Sequence, residues 1–344
     1  MSQDKRKFLW SFHYFRAFAI LNIIFIHTWR LSPDTNYKLS GTLVNAGRDM
    51  LFHGSTIYFL FISGFLFHYL SHRFEIRNYY LSKFKNVVLP YIFISVFLIF
   101  AEDFTGVRAN INLKDYLHII PDKLIRGTAS FQFWYIPFII IVFLLSPLFL
   151  KIRKENFIKY VPLLFVLPIL GTRTQVYITF WQFVYFLPVY LFGMYTSIHF
   201  DVVMDRARKW FWPLVSIAAV TSVILLFVDH EKTYLSLFNP RESLVYIQKM
   251  SLTFIILHLM REVKSDRWPV IGIIADCSFA LYFTHAIFDR HLKRLYYAVD
   301  DFVPGFLQIP ASVLYVFLLI AVNVLFCLAV KKVFGRRSRY LIGY

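Results

Sequence analysis

Long apolar runs alternate with short polar segments along the whole of this 344-residue chain. Most runs approach the length of about 20 residues that a helix needs to cross the apolar core of a bilayer. The pattern predicts an all-α fold, a polytopic transmembrane bundle that forms a single domain over residues 1–344. The fifth run is short and contains Pro162 and Pro168, which is typical of a broken or half-buried helix. Ten spans are predicted, at about 10–29, 51–70, 86–101, 132–150, 157–171, 176–198, 211–228, 243–260, 270–288 and 306–330.

Composition supports a membrane protein. The chain is 58% hydrophobic and only 17% charged, whereas a soluble domain is nearer half apolar and about a quarter charged. Cys277 and Cys327 both fall in predicted spans, where we interpret them as packing residues. No cluster has the spacing of metal ligands, so we expect no metal cofactor.

Positive charge is distributed unevenly between the loops predicted on the two sides of the membrane. If the N-terminus is cytoplasmic, the inner segments hold 21 Lys and Arg residues and the outer loops hold 13. This asymmetry follows the positive-inside rule and predicts that both termini lie in the cytoplasm. The net charge of +17 is therefore spread over short inner loops. We expect membrane lipid as a partner and no nucleic acid.

Arg16 and His27 are the most informative polar residues, because both lie inside the first predicted span. Eleven residues correspond to roughly 20° beyond three helical turns, so both side chains share one face, about 16 Å apart along the axis. Ionisable residues within a span are costly and indicate a functional site. The pair predicts a long anionic ligand lying along the helix. The alternatives are that Arg16 snorkels to the inner headgroups and that His27 is an interface anchor beside Trp29.

Further polar residues fall near the predicted depth of His27. Ser278, Tyr282 and His285 have the spacing i, i+4, i+7 and therefore share one face of the ninth span. His53 lies near the outer end of the second span, where it is either an interface residue or part of a site. Alternatively, Tyr282 is a packed aromatic residue whose hydroxyl is hydrogen-bonded and which takes no part in catalysis.

Several short motifs occur in the order shown by a known family. They are Arg16-(ten residues)-His27, Phe61-Ile-Ser63-Gly64-Phe65, Leu89-Pro90-Tyr91 after basic residues, Gln132-Phe133-Trp134, Ser146-Pro147, Gly193-Met194 and Ser278-(three residues)-Tyr282-Phe-Thr-His285. Together they resemble the integral-membrane acyltransferase-3 family, whose members modify cell-surface glycans. Two features depart from the usual pattern. Lys83 and Lys85, with Arg73 and Arg77 upstream, replace Arg-x-x-Arg, as in the branch of polysaccharide intercellular adhesion proteins, and Gln132 replaces a histidine.

The resemblance implies an O-acyltransferase in the cytoplasmic (inner) membrane. It would move an acyl group, usually acetyl, from cytoplasmic acetyl-CoA to a hydroxyl of a surface or lipid-linked glycan. Arg16, Lys83, Lys85, Arg73 and Arg77 are then candidates to bind the donor phosphates.

The implied reaction needs a base and a donor for the developing oxyanion, which gives candidate roles near the reacting atoms. Any role of the family's histidine before Leu-Trp does not carry over to Gln132. His27 would be the general base, and Tyr282, His285 or Gln132 would donate to the oxyanion. His53, Gln132, Trp134 and Ser278 are candidate substrate-binding residues. A covalent acyl-histidine is an alternative route. A transporter or exporter of a surface polysaccharide or its precursor is the alternative function.

Overall fold

The computed structural model describes residues 8–31, 38–104, 114–173, 178–228, 239–261, 263, 267–300 and 302–344. The side chains of residues 38–40, 73, 102–104 and 300 are outside this description. Helix accounts for 87% of the described residues, and they contain no strand. The predicted all-α class is confirmed.

The first half of the chain forms α-helices with tighter or wider helical turns in three places, the first of which is a 3₁₀ turn at Ser71–Arg73. A 3₁₀ turn, Phe131–Trp134, begins the helix that follows it, and a π-helical turn, Phe84–Val88, joins two helices into one long rod. The α-helices are α1 (Trp10–Thr28), α2 (Lys38–Phe52), α3 (Thr56–Leu70), α4 (Ile76–Lys83), α5 (Leu89–Phe104), α6 (Tyr116–Arg126), α7 (Tyr135–Phe149) and α8 (Lys154–Leu170).

The second half continues in the same way and ends in two short helices. Asn239 caps α12 by accepting hydrogen bonds from the first backbone amides, and Pro240 suits the first helical position. The α-helices are α9 (Phe180–Ile198), α10 (Phe200–Lys209), α11 (Phe211–Phe227), α12 (Pro240–Met260), α13 (Pro269–Asp300), α14 (Gly305–Phe334) and α15 (Ser338–Leu341), the last preceded by a 3₁₀ turn, Gly335–Arg337.

The core of the bundle depends on backbone contact between α3 and α9. A Cβ on Gly64 would lie 1.9 Å from the Tyr190 carbonyl oxygen, and one on Gly193 would lie 2.1 Å from that of Phe61. Small residues permit such close approach of membrane helices. Two glycines of the sequence motifs therefore bring these helices into direct contact. A second extensive contact joins α1 to α13 and aligns the helices that carry Arg16, His27, Ser278, Tyr282 and His285.

The structure supports a multi-pass membrane protein but does not confirm the count of ten spans. Among the described residues, six helical rods are long and apolar enough to cross a membrane, or seven if α9 and α10, bent by 102°, form one span. Helix α1 is outside this set, since its apolar run is interrupted by Arg16 and Asn22. Helix α8 runs unbroken through both prolines and buries only Phe157, Leu164 and Pro168. The helix is therefore not broken at either proline, and most of its residues are exposed.

Candidate functional site

A large cavity opens at the Arg16 end of α1. Its volume is about 1070 Å³, at the upper end of the range of about 300–1,000 Å³ typical of small-molecule sites. Its walls come from α1, α3, the π-helical turn, α7, α13 and the residues after Val330. The cavity is thus large enough for an extended ligand.

Arg16 lines this cavity and is held by the neighbouring helix α13. Its Nη2 donates to the Ala275 carbonyl oxygen at 2.8 Å and to the Ser278 hydroxyl at 3.1 Å. Ser278 also lines the cavity. The guanidinium therefore lies within the bundle, which the snorkelling alternative does not predict.

A second, small cavity lies at the His27 end of α1. Its volume is about 20 Å³, enough for about one water-sized molecule. His27, Gln132 and Trp134 line it, so predicted site residues from two distant parts of the sequence meet here. His27 itself is half-buried.

The two cavities share a wall of three aromatic residues. Phe59, Tyr135 and Tyr282 each line both cavities. Because α1 is one unbroken helix, Arg16 and His27 lie about 16 Å apart along its axis on either side of this wall. The cation and the imidazole thus face adjoining spaces inside the bundle, and these three side chains line the boundary between them.

His27 stacks on a second histidine. Its ring lies 5.6 Å from that of His285, with an interplanar angle of 17°, and 4.7 Å from the edge-on ring of Phe131. Within the described part of the chain, the His27 imidazole makes no hydrogen bond. Its nitrogen atoms are therefore available to a ligand.

The orientation of His285 is fixed by one hydrogen bond. Its Nδ1 donates to the Leu281 carbonyl oxygen at 2.9 Å. Its Nε2 is buried without a hydrogen-bond partner among the described residues. Since Nδ1 carries the proton in the neutral ring, Nε2 is an acceptor.

Gln132 presents the complementary group. Its Oε1 accepts a hydrogen bond from the Ser130 hydroxyl at 2.6 Å, while its buried Nε2 has no partner among the described residues. The Tyr282 hydroxyl donates to the Gln132 backbone oxygen, so its proton is already committed. Besides the His27 ring, Gln132 therefore provides an unpaired donor in the wall of the small cavity, and His285 provides an unpaired acceptor beside His27, among the described residues.

The backbone of His27 is held by a charged network that the sequence did not indicate. Arg30 Nη2 donates to the His27 carbonyl oxygen and to Asp289 Oδ2, both at 2.7 Å. The Tyr315 hydroxyl donates to Asp289 Oδ1 at 2.9 Å. This network ties the end of α1 to α13 and α14.

His53 lines neither cavity. It lies just before Gly54, whose φ of 77° separates α2 from α3. Its Nε2 is 2.9 Å from Glu242 Oε1, and Arg173 Nε is 2.9 Å from Glu242 Oε2. The three side chains form a buried charged cluster, and the substrate role of His53 stays a prediction.

The predicted basic residues separate into different environments. Lys85 lines the large cavity, whereas the Lys83 ammonium lies 4.0 Å from the centre of the Phe143 ring, outside the cavity. Arg77 is exposed and does not line the cavity, and the side chain of Arg73 is outside the described residues. Three cations that we did not predict for the site also line the cavity: Lys331, Arg336 and Arg339. In the sequence they indicated only topology.

Comparison with known proteins gives one match. A family model described as "Acyltransferase domain" matches residues 9–332, nearly the whole chain. No curated protein and no solved structure matches the chain significantly.

Proposed function

The chain belongs to this acyltransferase family, and from that premise we propose that it transfers an acetyl group from acetyl-CoA to a hydroxyl of a cell-surface or lipid-linked glycan. One observation carries the proposal. Arg16 and His27 face adjoining cavities along one unbroken helix, on either side of a shared aromatic wall.

The donor would lie along α1, with its phosphates in the large cavity and its thioester beside His27. The pantetheine arm of CoA is about as long as the separation of about 16 Å between the two side chains. Arg16 and Lys85 are the proposed cations near the phosphate end. The 20 Å³ volume at His27 is too small for an acyl group and a sugar, so Phe59, Tyr135 and Tyr282 must swing aside when the donor enters.

The reaction needs a base and an oxyanion donor. The acceptor hydroxyl attacks the thioester carbonyl carbon, the C–O bond forms and the C–S bond breaks. His27 takes the hydroxyl proton and returns it to the departing thiolate, which leaves as the CoA thiol. His285 stacks on the His27 ring with a centroid distance of 5.6 Å and would position the imidazole for this proton transfer.

Among the three candidates for the oxyanion donor, Gln132 fits best. Tyr282 belongs to the aromatic wall that must open for the donor, and neutral His285 presents an acceptor. The Gln132 Nε2 is buried, unpaired among the described residues, and belongs to a side chain that lines the cavity with His27. A preorganised amide donor of this kind stabilises the charge that develops on the carbonyl oxygen.

The orientation in the membrane follows from the same assignment. Acetyl-CoA is cytoplasmic, so the mouth of the large cavity would face the cytoplasm and the His27 end would approach the outer face of the cytoplasmic membrane. Trp134, stacked on Phe186 at 5.7 Å, would offer a flat apolar surface to the acceptor sugar at that end.

Acetyl transfer by purified protein in liposomes tests the proposal. With labelled acetyl-CoA and a glycan acceptor, the wild type should release CoA and label the acceptor. His27→Ala should abolish transfer and Arg16→Ala should weaken it. His118→Ala, at an exposed histidine of α6, is the matched control and should transfer normally.

Two results would contradict the proposal. Full transfer by His27→Ala would remove the proposed base. Movement of the glycan across the membrane without any acyl transfer would favour the transporter alternative.

A further inference from the structure

The segment 335–344 folds back over the mouth of the large cavity. Seven of its residues line that cavity: Gly335, Arg336, Ser338, Arg339, Tyr340, Gly343 and Tyr344. The family match ends at residue 332, so this part of the wall lies outside the matched region. The cavity is therefore completed by an element that the family comparison does not cover.

The segment is packed into place. Ser338 and Ile342 are 1% and 6% exposed, and the Ser338 hydroxyl lies within hydrogen-bonding distance of the Gly335 and Tyr344 carbonyl oxygens. The Lys331 ammonium lies 4.0 Å from the centre of the Tyr344 ring. The hydrogen bonds fix the shape of the segment, while the burial of Ser338 and Ile342 and the Lys331–Tyr344 contact hold it at the cavity mouth.

The mouth carries an excess of positive charge. Five cations line the cavity, Arg16, Lys85, Lys331, Arg336 and Arg339, whereas Asp276 is its single carboxylate among the described residues. Asp276 and, more weakly, Arg339 are both close enough to Arg16 for their charges to act on it. Neither Arg336 nor Arg339 forms an ion pair with a described carboxylate. Like charges gathered around one cavity repel each other unless an anion binds between them.

We infer that Arg336 and Arg339 bind the phosphates of the nucleotide end of CoA, so that segment 335–344 forms the outer half of the donor site. The inference rests on the proposed function. If the thioester lies at His27 and the arm passes Arg16, the diphosphate and the 3′-phosphate lie beyond Arg16, where this segment lines the mouth. Guanidinium groups match phosphate oxygens with paired hydrogen bonds.

Lipid phosphate is the other source of the same chemistry, because basic residues at a cytoplasmic surface also attract anionic headgroups. The sequence provides a matched control for this alternative. Lys332 and Arg337 are exposed neighbours of the same charge that do not line the cavity. If the arginines only attract lipid, removing Lys332 and Arg337 should have the same effect as removing Arg336 and Arg339. If the site binds the nucleotide, only Arg336 and Arg339, which line the cavity, should matter.

The test measures KM and kcat with two donors, acetyl-CoA and acetyl-pantetheine, which lacks the nucleotide. For Arg336→Ala/Arg339→Ala, KM for acetyl-CoA should rise about tenfold, equivalent to about 1.4 kcal/mol. Neither kcat nor the KM for acetyl-pantetheine should change. Lys332→Ala/Arg337→Ala should behave as the wild type with both donors. Arg336→Lys/Arg339→Lys, which keeps the charge, should recover part of the affinity.

Several outcomes would overturn the inference. A normal KM for acetyl-CoA in Arg336→Ala/Arg339→Ala would do so. An equal rise of KM with both donors, or an equal rise in both double variants, would do so as well. A defect seen in nanodiscs with phosphatidylglycerol but absent in pure phosphatidylcholine would assign the arginines to lipid. Absence of transfer by the wild type would instead defeat the proposed function, and direct binding of CoA to the four proteins would then still test the arginines.

Discussion

Substitution of Gln132 by alanine should separate catalysis from stability. In the folded protein the side chain makes one hydrogen bond, from Ser130 to its Oε1, and leaves Nε2 buried without a partner among the described residues. Losing the bond leaves the buried Ser130 hydroxyl without this partner and costs about 1–3 kcal/mol, while removing the unsatisfied Gln132 donor returns about the same amount. Gln132→Ala should therefore unfold at nearly the same temperature as the wild type.

The effect on the reaction should be much larger. Loss of one oxyanion donor typically lowers kcat by about 10²–10³, or about 2.7–4 kcal/mol. We expect a fall of this size for Gln132→Ala, with little change in the KM for acetyl-CoA, since the amide lines the small cavity and not the large one. Steady-state CoA release in liposomes measures both parameters.

Two further variants sharpen this experiment. Gln132→His restores an N–H donor and should recover much of kcat. Gln248→Ala removes a buried amide whose Nε2 donates to the Met50 oxygen and the Ser222 hydroxyl, so it should lower the unfolding temperature and leave kcat unchanged. A normal kcat in Gln132→Ala, or a loss that appears only in KM, would refute the assignment of this amide to the oxyanion.

Three other substitutions test the structural basis of the site. Gly64→Ala forces a Cβ into a backbone carbonyl of α9 and should cost about 1–3 kcal/mol of stability by thermal unfolding. Gly41→Ala, with no atom within 4 Å of the added Cβ, should be neutral. Equal effects of the two substitutions would contradict the close contact of α3 with α9. Glu242→Gln removes the charge that neutralises the buried Arg173 guanidinium and should lower the free energy of unfolding by about 3–5 kcal/mol. Asp122→Asn, in an exposed ion pair, should lower it by no more than about 1 kcal/mol. An unaffected unfolding temperature in Glu242→Gln would show that the cluster is not structural. Asp289→Asn weakens the hold on Arg30, which bonds the His27 backbone, and should lower kcat by about 10²-fold at unchanged KM for the donor. A change in KM alone would show that this network acts on donor binding and not on the chemical step.

Helical periodicity explains what could be predicted from the sequence. Residues eleven apart, or four and seven apart, share a face whatever the rest of the fold does. Arg16 and His27 therefore face one side, and Tyr282 and His285 lie close to His27, as their spacing indicates. The predicted class of fold followed equally directly from the length of the apolar runs.

Local irregularities explain part of what could not be predicted. Lys83 and Lys85 lie in different helical turns, and Lys83 does not line the large cavity because its ammonium lies over the Phe143 ring. The π-helical turn that begins at Phe84 leaves only Lys85 there. Similarly, the break at Gly54 puts His53 into a charged cluster, although its expected depth alone suggested the site.

Long-range contacts explain the remainder. The Arg173–Glu242 pair joins residues from separate loops and helices, and the fold-back of residues 335–344 depends on the burial of Ser338 and Ile342 against the bundle. Neither has a periodic signature. In the sequence, the basic residues of that segment were explained by the positive-inside pattern alone. Nothing in that pattern indicated that they lie at the cavity mouth.

A structure determined by electron cryo-microscopy with a non-transferable acetyl-CoA analogue would test the central claim most directly. Our account predicts that the analogue lies along α1, with its phosphates at the mouth of the large cavity and its acyl carbonyl between His27 and Gln132. Phe59, Tyr135 and Tyr282 should have moved to let the arm pass. An analogue bound on another face of α1, or with its acyl end outside the small cavity while the aromatic wall stays closed, would contradict the account.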